Sequence, residues 1–147
     1  MTKYIALAAF AGFLLPLQAL VNARASAVFG SPFWPTLVNF IGGLVILVPL
    51  ITFLRLPTPT LELAGRVPVY AWFSGVVGVI FVAQAAYTIP QLGAAGMISL
   101  AVAGQMFGSM LFDHFGILQD PDPISLQKAL GAMFLIAGTW LILRPGS

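Results

Sequence analysis

The sequence has no cysteine, a single histidine and very few charged side chains. Without cysteine the chain can form no disulfide and no thiolate metal site, so its redox compartment stays open. Lysine, arginine, aspartate and glutamate make up 7% of the 147 residues, against about a quarter in an ordinary soluble domain. A chain so poor in charge cannot cover a soluble fold with a wet surface. Its six basic residues also provide no patch for the phosphates of a nucleic acid.

Long apolar segments take the place of the missing charge. Hydrophobic residues make up 60% of the chain, and the mean hydropathy is +1.03. A helix needs about 20 apolar residues to cross the hydrocarbon core of a bilayer. Five segments are predicted to do so, and the first four carry no charge: residues 4–23, 33–54, 67–89, 92–112 and 124–143. The sequence therefore predicts an all-α membrane protein, with five transmembrane helices in a single membrane domain over residues 1–147.

Local signals agree with this division. Ser31 as N-cap, followed by Pro32, predicts the start of the second span, and Asp122 followed by Pro123 predicts the start of the fifth in the same way. Pro90 and Gly93 bracket a predicted turn between the third and fourth spans. Lys128 lies near the start of the fifth span, where its stem can carry the charge toward the headgroups. Tryptophans lie near span ends, as interfacial anchors do, at Trp34, Trp72 and Trp140.

The first span has an alternative interpretation as a signal peptide, because Lys3 precedes it and "ARASA" offers small residues for cleavage. Its apolar region is too long for that, and two amides interrupt it, which favours a span. Five spans would place the termini on opposite sides of the membrane. With the N-terminus inside, four basic residues lie inside and two outside. This is a weak orientation bias, which also suits a protein that inserts in both directions.

Polar side chains inside the spans are the informative residues, because the bilayer core offers them no water. Gln18 and Asn22 are four residues apart and therefore share one face of a helix, just after Pro16. Amides and hydroxyls recur in the next three spans, at Asn39, Gln84, Tyr87, Thr88, Ser99, Gln105 and Ser109. Each could bond one helix to another or line a wet cavity. Taken together, they favour a shared polar cavity near the midplane, lined by Gln18, Asn22, Asn39, Gln84, Tyr87 and Gln105.

Two further features concern the fourth span. Gly104 and Gly108 form a GxxxG element, which predicts close approach to another helix. Asp113 and His114 lie where this span leaves the membrane. Asp113 is a candidate proton or cation coupling site. The alternative is that both residues are ordinary groups of the membrane interface.

No arrangement typical of an enzyme is present. The single histidine has no cysteine beside it, and no span contains a pair of carboxylates. The sequence therefore predicts no catalytic residue, no metal site and no cofactor.

The stretches "LLPLQALVNARAS", "GSPFWPTLVNFIGG" and "QLGAAGMISLAVAGQMFGSMLFDHFG" resemble the YdcZ-like family of short membrane proteins, in the drug/metabolite transporter superfamily. The resemblance covers nearly the whole chain. It implies an inner-membrane exporter and a fold like one half of a ten-helix transporter. It also implies that two chains pair in opposite orientations, as a homodimer of dual topology or as a heterodimer.

One departure from related small multidrug transporters bears on the substrate. Those proteins carry a glutamate in the first helix, whereas this first span has Gln18 and no acid. An uncharged amide site suits a neutral, zwitterionic or anionic ligand better than a lipophilic cation. The predicted function is therefore alternating-access transport of a small polar molecule by a membrane-embedded dimer. The alternatives are a passive channel for small solutes or ions and a membrane subunit that transports nothing.

Overall fold

The structure is a computed structural model that describes residues 1–144, which form helices and loops and no strand. The long helices are α1 (Thr2–Phe29), α2 (Phe33–Phe53), α4 (Ser74–His114) and α5 (Leu126–Leu143). A short helix α3 (Leu61–Gly65) and a 3₁₀ helix (Val69–Phe73) lie between α2 and α4. Four helical segments of the described chain are long and apolar enough to cross a membrane. The all-α prediction is confirmed, and the division of the third segment, Val69–His114, into two spans stays a prediction.

A tight turn joins α1 to α2. Gly30 ends α1 in the left-handed conformation, with φ at 69°, which glycine adopts without steric cost. The prediction of Ser31 as the N-cap of α2 is wrong by one residue. The N-cap is Pro32, because its carbonyl accepts the first helical bonds, from the N–H and the hydroxyl of Thr36. The Ser31 hydroxyl still accepts a bond from the N–H of Phe33 at 3.3 Å.

The start of α5 also differs from the prediction. Its N-cap is Ser125, whose hydroxyl accepts a hydrogen bond from the N–H of Lys128 at 3.2 Å. Asp122 does not cap the helix, because its carboxylate pairs with the ammonium of Lys128 at 2.5 Å. A full positive charge attracts a carboxylate more strongly than a backbone N–H does.

Helix α4 is 41 residues long and contains one residue with non-helical geometry, Gly93, with φ at 71° and ψ at 159°. Pro90 lies within the helix, three residues earlier. The predicted turn between the third and fourth spans therefore becomes a single-residue break in the structure. The described chain forms two compact units, residues 1–88 and residues 89–144, and the boundary between them lies close to this break.

In the first unit α1 packs against α2, and Phe40 of α2 lies over Gly78 of α4. A Cβ at Gly78 would lie 3.2 Å from the Phe40 ring, so the glycine permits this close approach. In the second unit the hydroxyl of Thr139 on α5 donates to the carbonyl of Ser99 on α4 at 3.3 Å.

The interior of the described chain is small. Alanines account for four of its buried apolar residues, Ala23, Ala83, Ala85 and Ala86, whereas most leucines, valines and phenylalanines are exposed. In water this pattern would be unstable, but lipid is as apolar as leucine and imposes no cost on such a surface. Contact between helices in each unit is therefore limited to local sites, such as Phe40 against Gly78 and Thr139 against Ser99, and does not involve a large core.

Candidate polar site within the membrane helices

Two of the predicted amides meet across the α1–α2 hairpin. The Nε2 of Gln18 donates a hydrogen bond to the Oδ1 of Asn39 at 2.8 Å. The two residues are 21 apart in sequence, and the turn at Gly30 folds α2 back along α1 to bring them together. The bond engages one polar atom of each side chain. The carbonyl oxygen of Gln18 and the NH₂ group of Asn39 stay available for a further partner.

Asn22 lies one helical turn from Gln18 and is 7% exposed. Its Nδ2 has no hydrogen-bond partner among residues 1–144. Counting four residues toward the turn from Gln18 and from Asn39 brings Asn22 level with Pro35, which is also buried. A buried donor without a partner costs about 1–3 kcal/mol, so such a group marks a site where a missing partner would bind.

A groove of about 440 Å³ opens in the same unit between the start of α2 and the first part of α4. Its volume lies in the range of small-molecule sites. Two predicted residues line it, Gln84 and Tyr87. The remaining lining residues, Pro32, Phe33, Ile80 and Ala83, were not predicted, since apolar residues are too common in this chain to mark a site. The spacing of 80, 83, 84 and 87 along one face of a helix is the signal that identifies this wall.

Within the first unit, the predicted amides lie in separate places, and the shared cavity stays a prediction. Gln18 and Asn39 bind each other, Asn22 is buried, and none of the three lines the groove that contains Gln84 and Tyr87. Gln105 belongs to the second unit, where it is exposed.

The hydroxyls in α4 are satisfied by their own helix. Thr88 donates to the carbonyl of Gln84 at 2.8 Å, Ser99 to that of Gly96 at 3.0 Å, and Ser109 to that of Met106 at 3.0 Å. These bonds need no ligand or partner helix. The amides are therefore the better candidates for recognition of a solute.

The glycines of the GxxxG element face open space. A Cβ added to Gly104 or to Gly108 would meet no atom within 4 Å, so no helix of the described chain packs closely on either residue. The predicted close approach is not made within residues 1–144 and stays a prediction.

Asp113 and His114 hold the loop that follows α4. The carboxylate of Asp113 accepts a hydrogen bond from the side-chain amide of Gln119, and its backbone carbonyl accepts one from the N–H of Asp122 at 2.7 Å. The Nδ1 of His114 accepts a bond from the N–H of Ile124 at 3.3 Å. Within residues 1–144, no three His, Cys, Asp or Glu side chains lie close enough to share a metal ion.

The apolar helices of spanning length define this chain as an integral membrane protein. The family described as "Putative inner membrane exporter, YdcZ" matches residues 3–141, and the chain belongs to this family. It is also 27% identical over 134 residues to the inner membrane protein YdcZ of Escherichia coli (strain K12), across 91% of this chain and 90% of that protein. No solved structure matches the chain. The resemblance noted in the sequence is confirmed, as is the location in the inner membrane.

Proposed function

We propose that this protein exports a small polar molecule by alternating access, as an antiparallel dimer. The observation that carries the proposal is the buried Asn22 amide without a partner, one turn from the Gln18–Asn39 pair and inside apolar helices. Amides used only to join helices would be expected to satisfy one another. A donor kept unsatisfied in the protein interior suits a protein that binds a solute and releases it again.

The chemistry of these groups limits the substrate. Amides donate and accept hydrogen bonds but carry no charge, and no acidic residue lies in α1 or α2. A lipophilic cation would find no counter-ion among them. We therefore propose a neutral, zwitterionic or anionic solute that carries a hydrogen-bond acceptor for Asn22.

The length of α4 supports five spans rather than four. A straight helix of 41 residues would rise about 60 Å, about twice the hydrocarbon thickness of a bilayer. The break at Gly93 leaves residues 74–92 and 94–114, and each stretch is long enough to cross once. An odd number of spans is what one half of an inverted-repeat transporter requires.

Two features favour a second copy of the chain. The groove beside Gln84 and Tyr87 is open on one side, and a partner could complete its wall. Gly104 and Gly108 leave a helix face on which another backbone can pack closely. In an antiparallel pair each chain would supply Gln18, Asn22 and Asn39 from one side of the membrane, as the two halves of a larger transporter do.

The test uses purified protein and sealed vesicles. Amino acids, sugars, polyols and carboxylic acids are first screened for a rise in the unfolding temperature, because a ligand of the folded state stabilises it. Solutes that bind are then followed as exchange across vesicles containing the protein. Wild type is expected to saturate with solute concentration and to exchange, whereas Gln18→Leu and Gln105→Leu should both fall to the rate of empty vesicles. Expression and dimerisation should be retained, since one such hydrogen bond contributes about 0.6 kcal/mol.

Gln91→Leu is the matched control, because Gln91 is a glutamine of α4 that lies two residues before the break at Gly93 and is not one of the amides proposed to meet the solute. It should transport as wild type does. Unchanged transport in both site variants would refute the amide site. Flux that does not saturate would instead indicate a channel, and a purified chain that binds no solute would indicate a subunit without transport activity.

A further inference from the structure

A second groove, of about 390 Å³, lies in the unit formed by residues 89–144. It runs between the last turns of α4 and the first turns of α5. Its charged residues lie at one end, and the one polar residue at the other end, Ser109, donates its hydroxyl to the carbonyl of Met106 in its own helix. Asp113, Gln127 and Lys128 lie near the loop, whereas Met106, Met110 and Gly131 lie deeper along the helices.

The loop end of this groove lies at the surface of the membrane. Residues 115–125 join two apolar helices and contain Asp120, Asp122 and two prolines. A loop of this composition remains in the headgroup region, so the apolar end of the groove points into the hydrocarbon. The groove thus has the polarity order of a phospholipid, with charge at the surface and an apolar stretch below it.

The charges in the groove are of both signs. The Lys128 ammonium pairs with Asp122, and the two side chains are 35% and 65% exposed, so the ammonium keeps donors for a further acceptor. Asp113 is partly buried and forms no ion pair within residues 89–144, and its carboxylate accepts a bond from the neutral amide of Gln119. A ligand with one anionic and one cationic group would therefore find a partner for each, Lys128 for the anion and Asp113 for the cation.

We propose that this groove binds a phospholipid whose headgroup carries a primary ammonium, such as phosphatidylethanolamine. The ammonium donates to the Asp113 carboxylate, the phosphate accepts from Lys128 and Gln127, and an acyl chain lies along Met106, Met110 and Gly131. A purely anionic lipid could offer its phosphate to Lys128, but its headgroup would bring no cation to the Asp113 carboxylate. A choline headgroup offers no N–H to it. The proposal does not depend on transport.

The experiment measures which lipids stay bound to the purified protein. Full-length chains are incorporated into vesicles of equal parts phosphatidylethanolamine, phosphatidylcholine and phosphatidylglycerol, extracted in mild detergent, and weighed by native mass spectrometry. Wild type should retain about tenfold more ethanolamine than choline lipid, the ratio expected from one additional hydrogen bond to a charged group.

Three variants separate the parts of the site. Asp113→Asn keeps an acceptor for Gln119, and it should lower ethanolamine retention to the level of choline. Lys128→Gln should lower both lipids alike, because both carry the phosphate. Gly131→Leu should lower both by filling the apolar end of the groove, and a Cβ at this position meets no atom within 4 Å.

Gly138→Leu is the matched control on the same helix, at a glycine that also has open space beside it and does not line the groove. It should retain lipid as wild type does. Equal retention of ethanolamine and choline lipids by wild type would overturn the proposal, as would unchanged retention in Asp113→Asn. Water-soluble glycerophosphoethanolamine provides a last arm: if it competes as well as the intact lipid, no acyl chain occupies the groove and the proposal is refuted.

Discussion

Three polar residues are buried in the described part of the chain, and one of them differs from the other two. Thr36 donates its hydroxyl to the carbonyl of Pro32 at 2.8 Å, and Thr139 donates to the carbonyl of Ser99 at 3.3 Å. The Nδ2 of Asn22 has no such acceptor. Thr36 reaches a carbonyl one turn earlier in its own chain segment and Thr139 reaches one on the neighbouring α4, whereas the Asn22 amide reaches neither kind of acceptor. The unpaired donor of Asn22 therefore lowers the stability of the fold, while in the proposed function it binds the solute.

Asn22→Leu is accordingly expected to raise stability and to remove transport. A leucine at this buried position leaves no donor unpaired, so the free energy of unfolding should increase by about 1–3 kcal/mol. Thermal unfolding in detergent measures the first effect, and exchange in vesicles measures the second. Thr36→Val is the matched control, since it removes a satisfied hydroxyl. Its free energy of unfolding should fall by about 1 kcal/mol, and its transport should be unchanged. Loss of stability in Asn22→Leu would mean that the amide has a partner after all.

At the scale of the helices, the informative feature is the break in α4. A φ of 71° with a ψ of 159° belongs to a region that is almost exclusive to glycine. A Cβ at Gly93 would meet no atom within 4 Å. Any cost of substitution at this position therefore comes from the backbone and not from crowding. Pro90 adds to the break by removing one helical hydrogen bond nearby.

Gly93→Ala should lower the free energy of unfolding by about 1–3 kcal/mol, the range for residues forced into sparsely populated backbone conformations. Gly12→Ala in α1 offers the comparison, since Gly12 is helical and also has open space around it. That substitution should be neutral or stabilise by up to about 1 kcal/mol. Thermal unfolding of both variants measures the difference. Equal effects would show that Gly93 is not held in the strained conformation.

At the scale of the whole molecule, sparse charge leaves the direction of insertion poorly determined. With the N-terminus inside, Lys3, Arg55, Arg66 and Lys128 would lie on the inner side, against Arg24 and Arg144 on the outer. The positive-inside rule acts through such counts, and four against two is a small excess. Dual insertion of one chain would supply both orientations for the proposed dimer.

The absence of cysteine makes this testable, because a single introduced thiol can be labelled without background. Thr58→Cys lies in the exposed loop between α2 and α3. A membrane-impermeant maleimide should label part of the protein in intact spheroplasts and the rest only after lysis. Pro57→Lys adds a positive charge at an exposed position of the same loop, which favours placement of the loop on the inner side. The fraction labelled in intact spheroplasts should therefore fall, and the fraction labelled only after lysis should rise. If Thr58→Cys is labelled from one side only, both with and without Pro57→Lys, dual topology is excluded.

The α-class, the family, the inner-membrane location and the approximate positions of the apolar helices could all be predicted from the sequence. This was possible because the bilayer demands long apolar segments whose backbone bonds are satisfied within one helix, and such segments are visible as local patterns. The sequence also indicated the amides that lie within them. The caps were harder to place: Ser125 caps α5, and Asp122, the predicted cap, pairs with Lys128 instead.

The hydrogen-bond partners of the polar groups could not be predicted in this way and became visible in the folded chain. The Gln18–Asn39 bond joins residues 21 apart, the isolation of Asn22 depends on what surrounds it, and the groove beside Gln84 is walled mostly by apolar side chains. In a chain that is 60% hydrophobic, no local pattern distinguishes the apolar residues of a groove from those that face lipid. Pairing and burial arise from contacts between distant segments, and the folded arrangement of the helices sets them.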